Sequence, residues 1–301
     1  MKDNIIIIIP THKRQHYLNR VASYYSHFDM KVYICDSTPE GAFNIDHYNN
    51  INYIWCPEKT FYTKILHVLN TTAARFYATS PDDDFLVYET LMECYNFLLG
   101  DKRYSMAIGR QCYFNEGFKN NTLFTNIYSN GLYGKRIDGN KIQNSIKFWS
   151  NYQNILWTLF TKDTLLDAFE TLERLHYDSQ NFIELTLGMK AISHGKIYLS
   201  KDFLNCREVS TAIHWGNLEK VVSIGNFFKY KSMRKDIVKF WNSENTFSSR
   251  IGFLCYLLVS SNRIIEKVRA LSLKLLNRGK VTISIDDTKL SSRISNALSH
   301  V

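Results

Sequence analysis

The chain has 301 residues, of which 45% are hydrophobic and 14% are aromatic. This composition is typical of a packed globular protein and excludes a disordered chain. The length suits one large domain with appendages or two smaller domains. The net charge is +9, and residues 229–301 carry the whole excess, with 14 Lys and Arg against 5 Asp and Glu. The neutral body argues against a nucleic-acid groove, and the basic tail predicts contact with an anionic surface.

The sequence predicts neither a signal peptide nor a membrane-spanning segment. Residues 5–9 are a run of only five isoleucines, ended by Pro10, which is too short for a signal peptide. No other apolar run approaches the roughly 20 residues that cross a bilayer. The six cysteines lie far apart and mostly inside apolar stretches, as reduced and buried thiols do. We therefore expect a cytoplasmic protein whose tail brings it to the inner face of the cell membrane.

Strands and helices alternate over the first part of the chain. Apolar runs predict strands at residues 5–9, 31–35 and 51–55, and helical spacing predicts helices at residues 18–25 and 61–77. This alternation indicates βαβ units and an α/β fold with a parallel, doubly wound sheet. Ligands of such sheets lie beyond the carboxyl ends of the strands, where residues 11–14, 36–38 and 82–84 are expected to meet.

Asp82, Asp83 and Asp84 are the most informative residues at that edge, and a helical pattern at residues 87–98 follows them. Three crowded carboxylates repel one another unless a cation or hydrogen-bond donors offset their charge. Hard oxygen ligands of this kind suit Mg²⁺ or Mn²⁺. The simpler alternative is that the triplet caps the following helix, because acidic side chains favour helix N-termini.

The patterns after the triplet define the proposed domain organisation. They predict strands at residues 104–109 and 195–199 and helices at residues 165–172 and 182–192. Residues 113–150 are polar and rich in Asn, which predicts irregular loops around a strand that could shape an acceptor site. We therefore divide residues 1–225 into a donor half, up to about residue 110, and an acceptor half. Residues 226–301 are treated as a separate helical and basic tail.

A predicted helix in the tail carries an apolar stripe. Ile264, Val268, Leu271 and Leu275 have the spacing of one helix face, and basic residues lie nearby. A helix of this composition suits the plane of an anionic membrane surface. The alternative is that it packs on the rest of the chain or forms an oligomer contact.

Short motifs follow one another along the chain in a characteristic order. They are Ile-Ile-Ile-Pro-Thr-His-Lys-Arg at residues 7–14, Cys-Asp-Ser-Thr at 35–38, Asp-Asp-Asp-Phe at 82–85, Glu-Cys-Tyr-Asn-Phe-Leu at 93–98, Gly-Arg at 109–110, Phe-Ile-Glu-Leu at 182–185, Gly-Lys at 195–196 and Arg-Glu at 207–208. With this order and spacing, residues 4–216 resemble the nucleotide-sugar glycosyltransferases of the GT-A fold, near family 2. The resemblance is closest to a bacterial branch that carries a DDDF-type DXD motif.

The resemblance implies both a fold and an activity. The GT-A fold is a Rossmann-like, mostly parallel sheet flanked by helices, followed here by the helical basic tail. The implied reaction moves a sugar from a nucleotide-sugar, expected to be a UDP-sugar, with Mn²⁺ or Mg²⁺ as cofactor. The acceptor would be a hydroxyl of a glycan or lipid-linked molecule in bacterial surface polysaccharide synthesis, and the anomeric carbon would be inverted.

The resemblance also implies which residues bind the donor and the metal. The donor-binding residues would be Thr11, Asp36, Lys64, Asp82, Asp83, Arg207 and Trp215, and the metal ligands would be Asp82, Asp84 and His214. Asp36 can accept a hydrogen bond from a uracil N–H, although a turn-capping aspartate is the alternative. Arg207 can pair with phosphate oxygens, although a salt bridge to Glu208 would explain it equally well.

Glu184 is the expected catalytic base, in the place where the family has its acidic residue at the start of a helix. It would take a proton from the acceptor hydroxyl as that hydroxyl attacks the anomeric carbon. Its apolar neighbours could raise the pKa of Glu184 by burying it. Asp178 is the second candidate for the base, and a purely structural glutamate is the alternative.

Two other classes of function compete with this interpretation. A nucleotidyltransferase can use a similar acidic metal site, but it usually has a Gly-rich phosphate loop after the first strand, and residues 10–14 contain no glycine. A basic nucleic-acid-binding protein is least favoured, because the positive charge is confined to the tail.

Overall fold

The computed structural model describes residues 4–45, 48–115, 123–126, 136–150, 155–177, 179, 181–209, 222, 224–243, 247–261, 282–285 and 288–298. In these residues, eleven strands form one mixed sheet with helices on both faces. The predicted α/β fold class is therefore confirmed.

The parallel part of the sheet is built around its first strand. β1 (Ile5–Thr11) lies parallel to β2 (Lys31–Asp36), and β2 lies parallel to β3 (Ile51–Trp55). The crossover helices are α1 (Leu18–Ser26) and α2 (Phe61–Thr71), and β4 (Phe76–Thr79) lies parallel to β1 on its other side. All seven residues of β1 are buried, because β-branched side chains pack well on both faces of a central strand. These three predicted strands and the first predicted helix are confirmed.

The helix predicted at residues 61–77 is too long. α2 ends at Thr71, and all four residues of Phe76–Thr79 are buried in β4. A short apolar and aromatic run fits a buried strand as well as a buried helix. Its pairing with β1 in the centre of the sheet decides between the two.

The rest of the body adds strands in both directions. Its elements are β5 (Phe85–Leu86), α3 (Tyr88–Gly100), β6 (Tyr104–Asn115), β7 (Leu123–Asn126), β8 (Arg136–Ile137), α4 (Lys141–Ser150), β9 (Leu159–Thr161), α5 (Lys162–Leu175), α6 (Asn181–His194) and β10 (Lys196–Val209). β9 lies between β4 and β6 and is antiparallel to both, whereas β10 is parallel to β6. The helix α4 falls where the sequence predicted only loops around a strand. The many polar residues of α4 made its helical pattern hard to recognise in the sequence, although its Phe148 and Trp149 are buried.

β10 brings distant residues to the loop that follows β4. Its residue Cys206 lies opposite Phe85 of β5, directly after the aspartate triplet. The last residues of β10 therefore lie beside the triplet, although more than a hundred positions separate them in the sequence.

Two hydrophobic cores lie on opposite faces of the sheet. Side chains alternate along β1, so that Ile6 and Ile8 belong to the core under α2, α5 and α6, while Ile5, Ile7 and Ile9 belong to the core under α1 and α3. This alternation is the period-2 geometry of a strand buried on both faces.

The tail contributes to both cores. Its described elements are α7 (Ile224–Lys229), α8 (Lys231–Ser243), α9 (Phe247–Ser261), β11 (Thr282–Ile285) and α10 (Thr288–Leu298). Phe240 of α8 and Phe253 of α9 are fully buried in the core that contains residues of α4 and α6. At Gly252 of α9, an added Cβ would lie 2.5 Å from Trp149 Cδ1, so the backbone of α9 approaches α4 closely.

The last described elements of the tail pack on both halves of the body. β11 pairs with β7, and Leu290 and Ile294 of α10 are buried in the core that α1 and α3 cover. Two ion pairs join α10 to Glu89 of α3, with Lys289 Nζ at 2.6 Å and Arg293 Nη1 at 3.0 Å from its carboxylate.

The described parts of the tail thus pack on the body. The apolar stripe predicted between residues 264 and 275 lies outside the described residues. The membrane contact and the boundary at residue 225 therefore stay predictions. Among the described helices, none combines the length and the apolar character that crossing a membrane requires.

Candidate active site

The carboxyl ends of β1, β2 and β4 meet at one edge of the sheet. Thr11 and Asp36 are register partners at the ends of β1 and β2. Thr11 Oγ1 donates a hydrogen bond of 2.6 Å to Asp82 Oδ2, which lies in the loop after β4. The structure therefore brings together three residues that the sequence assigned to the donor site, at the edge where ligands of parallel sheets bind.

Asp36 is held as a carboxylate by four hydrogen bonds. Its Oδ1 accepts from the backbone N–H and the hydroxyl of Thr38, and its Oδ2 accepts from Gln15 Nε2 and Tyr53 OH at 2.8 Å each. Burial alone would raise the pKa of Asp36, but these hydrogen bonds outweigh it and lower the pKa. The bonds to Thr38 are the turn cap that the sequence offered as an alternative. They keep the carboxylate ionised, so that it acts only as a hydrogen-bond acceptor.

Arg14 bridges the first two carboxylates of the triplet. Its Nη1 lies 3.0 Å from Asp82 Oδ1, and its Nη2 lies 2.6 Å from Asp83 Oδ2. Burial raises the pKa of Asp82 to about 6, against the opposing effects of Arg14 and of the hydrogen bond from Thr11. The guanidinium thus supplies part of the positive charge that crowded carboxylates need.

Asp84 connects the loop to β10. Its Oδ1 accepts a 2.8 Å hydrogen bond from the backbone N–H of Glu208, and its Oδ2 accepts one of 3.1 Å from Arg207 Nε. Burial, together with the charge of Asp83, raises the pKa of Asp84 to about 7. Both oxygens of Asp84 therefore face partners on β10. Arg207 pairs with Asp84, whereas the sequence considered phosphate or Glu208 as its partner.

Arg20 of α1 supports the triplet from inside the protein. Its Nη2 donates to the backbone carbonyl of Asp83 at 2.5 Å and to Glu208 Oε2 at 2.8 Å. The side chains of Arg20 and Glu208 are only 3% and 4% exposed. This buried ion pair fixes both the path of the loop and the end of β10.

Lys64 lies underneath the strand ends. Its Nζ donates to the backbone carbonyl of Thr11 at 2.6 Å and to Ser37 Oγ at 2.9 Å. Burial lowers the pKa of Lys64. In this position the ammonium holds the ends of β1 and β2 together. The contact with the base or phosphates that the resemblance implied stays a prediction.

Of the candidates for the catalytic base, the structure describes only Glu184. Glu184 is half-buried in the first turn of α6. Burial and the charge of Glu184 raise the pKa of Tyr256 in α9 to about 12, so the carboxylate lies near that helix. Asp178, His214 and Trp215 lie outside the described residues, and their roles stay predictions.

Several site residues were given no role in the donor or metal site from the sequence. Arg14 was expected only to lie at this edge and Glu208 only as a partner of Arg207, whereas Gln15, Arg20, Tyr53 and Trp55 were not singled out. Tyr53 and Trp55 are two positions apart at the end of β3, so the alternation of a strand could have placed both on one face. Trp55 is 45% exposed, and its Nε1 donates a hydrogen bond of 2.9 Å to the backbone carbonyl of Thr38. Arg20 gave no local signal, because its carboxylate partner lies 188 positions away.

The triplet suits a divalent cation in its chemistry. Carboxylate oxygens are the ligands that Mg²⁺ and Mn²⁺ prefer, and each oxygen can accept more than one bond. Within the described residues, however, no three His, Cys, Asp or Glu side chains are arranged around a common metal position. Arg14 and Arg207 are the cations that the carboxylates contact here.

Comparison with known proteins identifies the fold. No family model matches the chain, and no curated protein matches its sequence. The structure of S. aureus TarS 1–349 superimposes with a TM-score of 0.54 at 13% identity, over 100% of this chain and 80% of that one. The chain shares its fold with TarS. TarS 1–349 in complex with UDP-GlcNAc gives a TM-score of 0.53 at 14% identity, over 99% of this chain and 79% of that one.

This similarity confirms the predicted fold. The chain has the mixed α/β sheet flanked by helices of the GT-A fold seen in TarS. A longer TarS structure matches with a TM-score of 0.54 at 12% identity, over 88% of this chain. The chain spans 45% of that longer protein.

Proposed function

We propose that the chain is a glycosyltransferase that moves a sugar from a UDP-sugar to a hydroxyl of a glycan or lipid-linked acceptor. The proposal is carried by the assembly of Thr11, Asp36 and Asp82 at the carboxyl edge of the parallel strands. It is supported by a fold shared with TarS, a protein crystallised in complexes with UDP-GlcNAc and with UDP.

The nucleoside would bind over the ends of β1 and β2. Asp36 would accept a hydrogen bond from the uracil N–H, because its lowered pKa keeps it ionised. Thr11 and Asp82 would meet the ribose. The diphosphate would then lie towards Arg14 and Arg207, whose guanidinium groups suit phosphate oxygens.

A bound Mn²⁺ or Mg²⁺ would offset the charge of the leaving diphosphate. We propose Asp82 and Asp83 as its ligands from this loop, with His214 still a predicted third ligand. Asp84 stays a predicted ligand, because a carboxylate oxygen can accept more than one bond. Its hydrogen bonds from β10 would in addition hold the loop in place.

The transfer step needs a base on the acceptor side. The acceptor hydroxyl would attack the anomeric carbon, its proton would pass to Glu184, and the nucleoside diphosphate would leave with the bonding electron pair. Direct displacement of this kind inverts the anomeric centre. Asp178 remains the second candidate for this role.

The acceptor is proposed to lie at the inner face of a membrane. The neutral body and the surplus of basic residues from 229 to 301 support this location, because anionic lipids attract basic segments. The product would be a bacterial surface polysaccharide or its lipid-linked precursor.

A binding panel tests the proposed function. Isothermal titration with UDP, UDP-GlcNAc, UDP-glucose, a GDP-sugar and UTP, each with and without Mn²⁺, should show binding of at least one UDP-sugar. Asp36→Asn keeps the shape but loses the ionised acceptor, and should weaken UDP binding by about 10-fold or more. Asp101→Asn, in the turn between α3 and β6, is the matched control and should bind UDP as the wild type does.

Two outcomes would contradict the proposal. The first is a wild-type protein that binds none of these nucleotides. The second is formation of a nucleotide-sugar from UTP and a sugar 1-phosphate, which would favour the nucleotidyltransferase alternative.

A further inference from the structure

Arg14 contacts two carboxylates of the aspartate triplet and is partly exposed to water. It reaches Asp82 Oδ1 at 3.0 Å and Asp83 Oδ2 at 2.6 Å, one with each terminal nitrogen. Its side chain is 38% exposed, whereas that of Arg20 beneath the same loop is 3% exposed. Arg14 can therefore leave the carboxylates into water, whereas Arg20 could do so only by leaving the protein interior.

The backbone around Arg14 is fixed, so only its side chain needs to move. The N–H of Lys13 donates to Thr38 Oγ1 at 2.8 Å, and the carbonyl of Arg14 accepts from the N–H of Tyr17 at 3.0 Å. Lys13 has a φ of 56°, in the left-handed region that a non-glycine residue adopts only when its surroundings hold it there. The guanidinium of Arg14 also lies 4.6 Å from the centre of the Tyr17 ring, which offers it a cation–π contact.

Arg14 and a divalent cation would compete for the carboxylate oxygens of Asp82 and Asp83. Because both are positively charged, a cation bound at these oxygens would repel the guanidinium, and the guanidinium would repel the cation. A nucleoside diphosphate supplies the anionic oxygens that a displaced guanidinium can bind in bidentate fashion.

We propose that Arg14 is an exchangeable counter-ion of the donor site. In the donor-free protein it neutralises Asp82 and Asp83. When the cation and the donor bind, it leaves those carboxylates and pairs with the diphosphate. This inference rests on the proposed function, because it requires a nucleoside diphosphate ligand.

Two opposite changes in affinity test the inference. In Arg14→Gln, binding of Mn²⁺ alone, measured by electron paramagnetic resonance of the free ion, should become about 10-fold tighter because the competing cation is gone. Binding of UDP at saturating Mn²⁺, measured by titration calorimetry, should become about 10-fold weaker because a diphosphate contact is lost. Arg75→Gln is the control, since Arg75 lies before β4, at the opposite end of that strand from the triplet. It should change neither affinity.

Arg14→Lys keeps the charge but cannot bridge two carboxylates with a planar fork. Its affinities for Mn²⁺ and for UDP should lie between those of Arg14→Gln and the wild type. If Arg14→Gln does not fold, Arg14→Lys still tests the inference. Unchanged or weaker Mn²⁺ binding by the variants would overturn the inference, and so would unchanged UDP binding. Failure of the proposed function gives a different result, because the wild type itself would then bind no UDP.

Discussion

The buried pair between Arg20 and Glu208 offers a quantitative test of how the site is held. Arg20 Nη2 contacts both Glu208 Oε2 and the carbonyl of Asp83, and its guanidinium lies over the rings of Tyr17 and Phe85. The ion pair joins α1 to the end of β10, across the loop that carries the triplet. Replacing Arg20 by Met keeps much of its apolar volume but removes the charge.

The expected loss in the free energy of unfolding follows from the burial of this ion pair. Removing one member of a buried ion pair typically costs about 3–5 kcal/mol, because the other charge remains in the interior. The Nε of Arg20 has no hydrogen-bond partner among the described residues, which favours the lower end of that range. A loss of about 3 kcal/mol would be a large share of the roughly 5–15 kcal/mol that stabilises a typical domain.

Urea unfolding provides the assay. Arg20→Met should lower the free energy of unfolding by the amount above, and the double variant Arg20→Met, Glu208→Gln should recover part of it, because the buried charge is then gone as well. The matched control is Arg103→Met, which breaks the exposed pair with Asp101 and should leave the free energy of unfolding close to the wild type. Equal effects of Arg20→Met and Arg103→Met would refute the reasoning.

Three further predictions concern the tail, the C-terminal helix and the base. Gly252→Ala should destabilise the protein by about 1–3 kcal/mol in urea unfolding, because its Cβ would overlap the indole of α4, whereas Gly100→Ala, with no atom within 4 Å, should not. Burial opposes ionisation of Glu89, but hydrogen bonds from α10 outweigh it and lower the pKa of Glu89 from 4.5 to about 2. The stabilisation by Glu89 should therefore be complete above about pH 4.5 and be lost as the pH falls through about 2, and unfolding of Glu89→Gln should lack this dependence. Glu184→Gln should retain UDP-sugar binding but slow transfer by about 10²-fold or more in a UDP-release assay; near-normal turnover would remove Glu184 from the mechanism.

The first three strands and the edge where the site residues meet could be predicted from the sequence. β1, β2 and β3 are short apolar runs at regular intervals, and the convergence of Thr11, Asp36 and the triplet follows from the geometry of parallel strands. The boundary between α2 and β4 was not predictable, because the aromatic run before the triplet fits either structure until the neighbouring strand is known.

The electrostatic partners of the site depend on contacts between distant parts of the chain. Arg14 lies 69 positions from Asp83, and Arg207 lies 123 positions from Asp84. Residues 11–14 and 82–84 were expected to meet at one edge of the sheet, but the sequence did not show which side chains would pair there. The pairing of Arg207 with Asp84 could be assigned only after β10 was placed beside β5.

A crystal structure of the full chain with UDP and Mn²⁺ would test the central claim most directly. The account predicts that the uracil lies against Asp36 at the end of β2, with the diphosphate at the edge that carries Asp82 and Asp83. UDP bound elsewhere on the protein, or an unoccupied strand edge at saturating UDP, would contradict it.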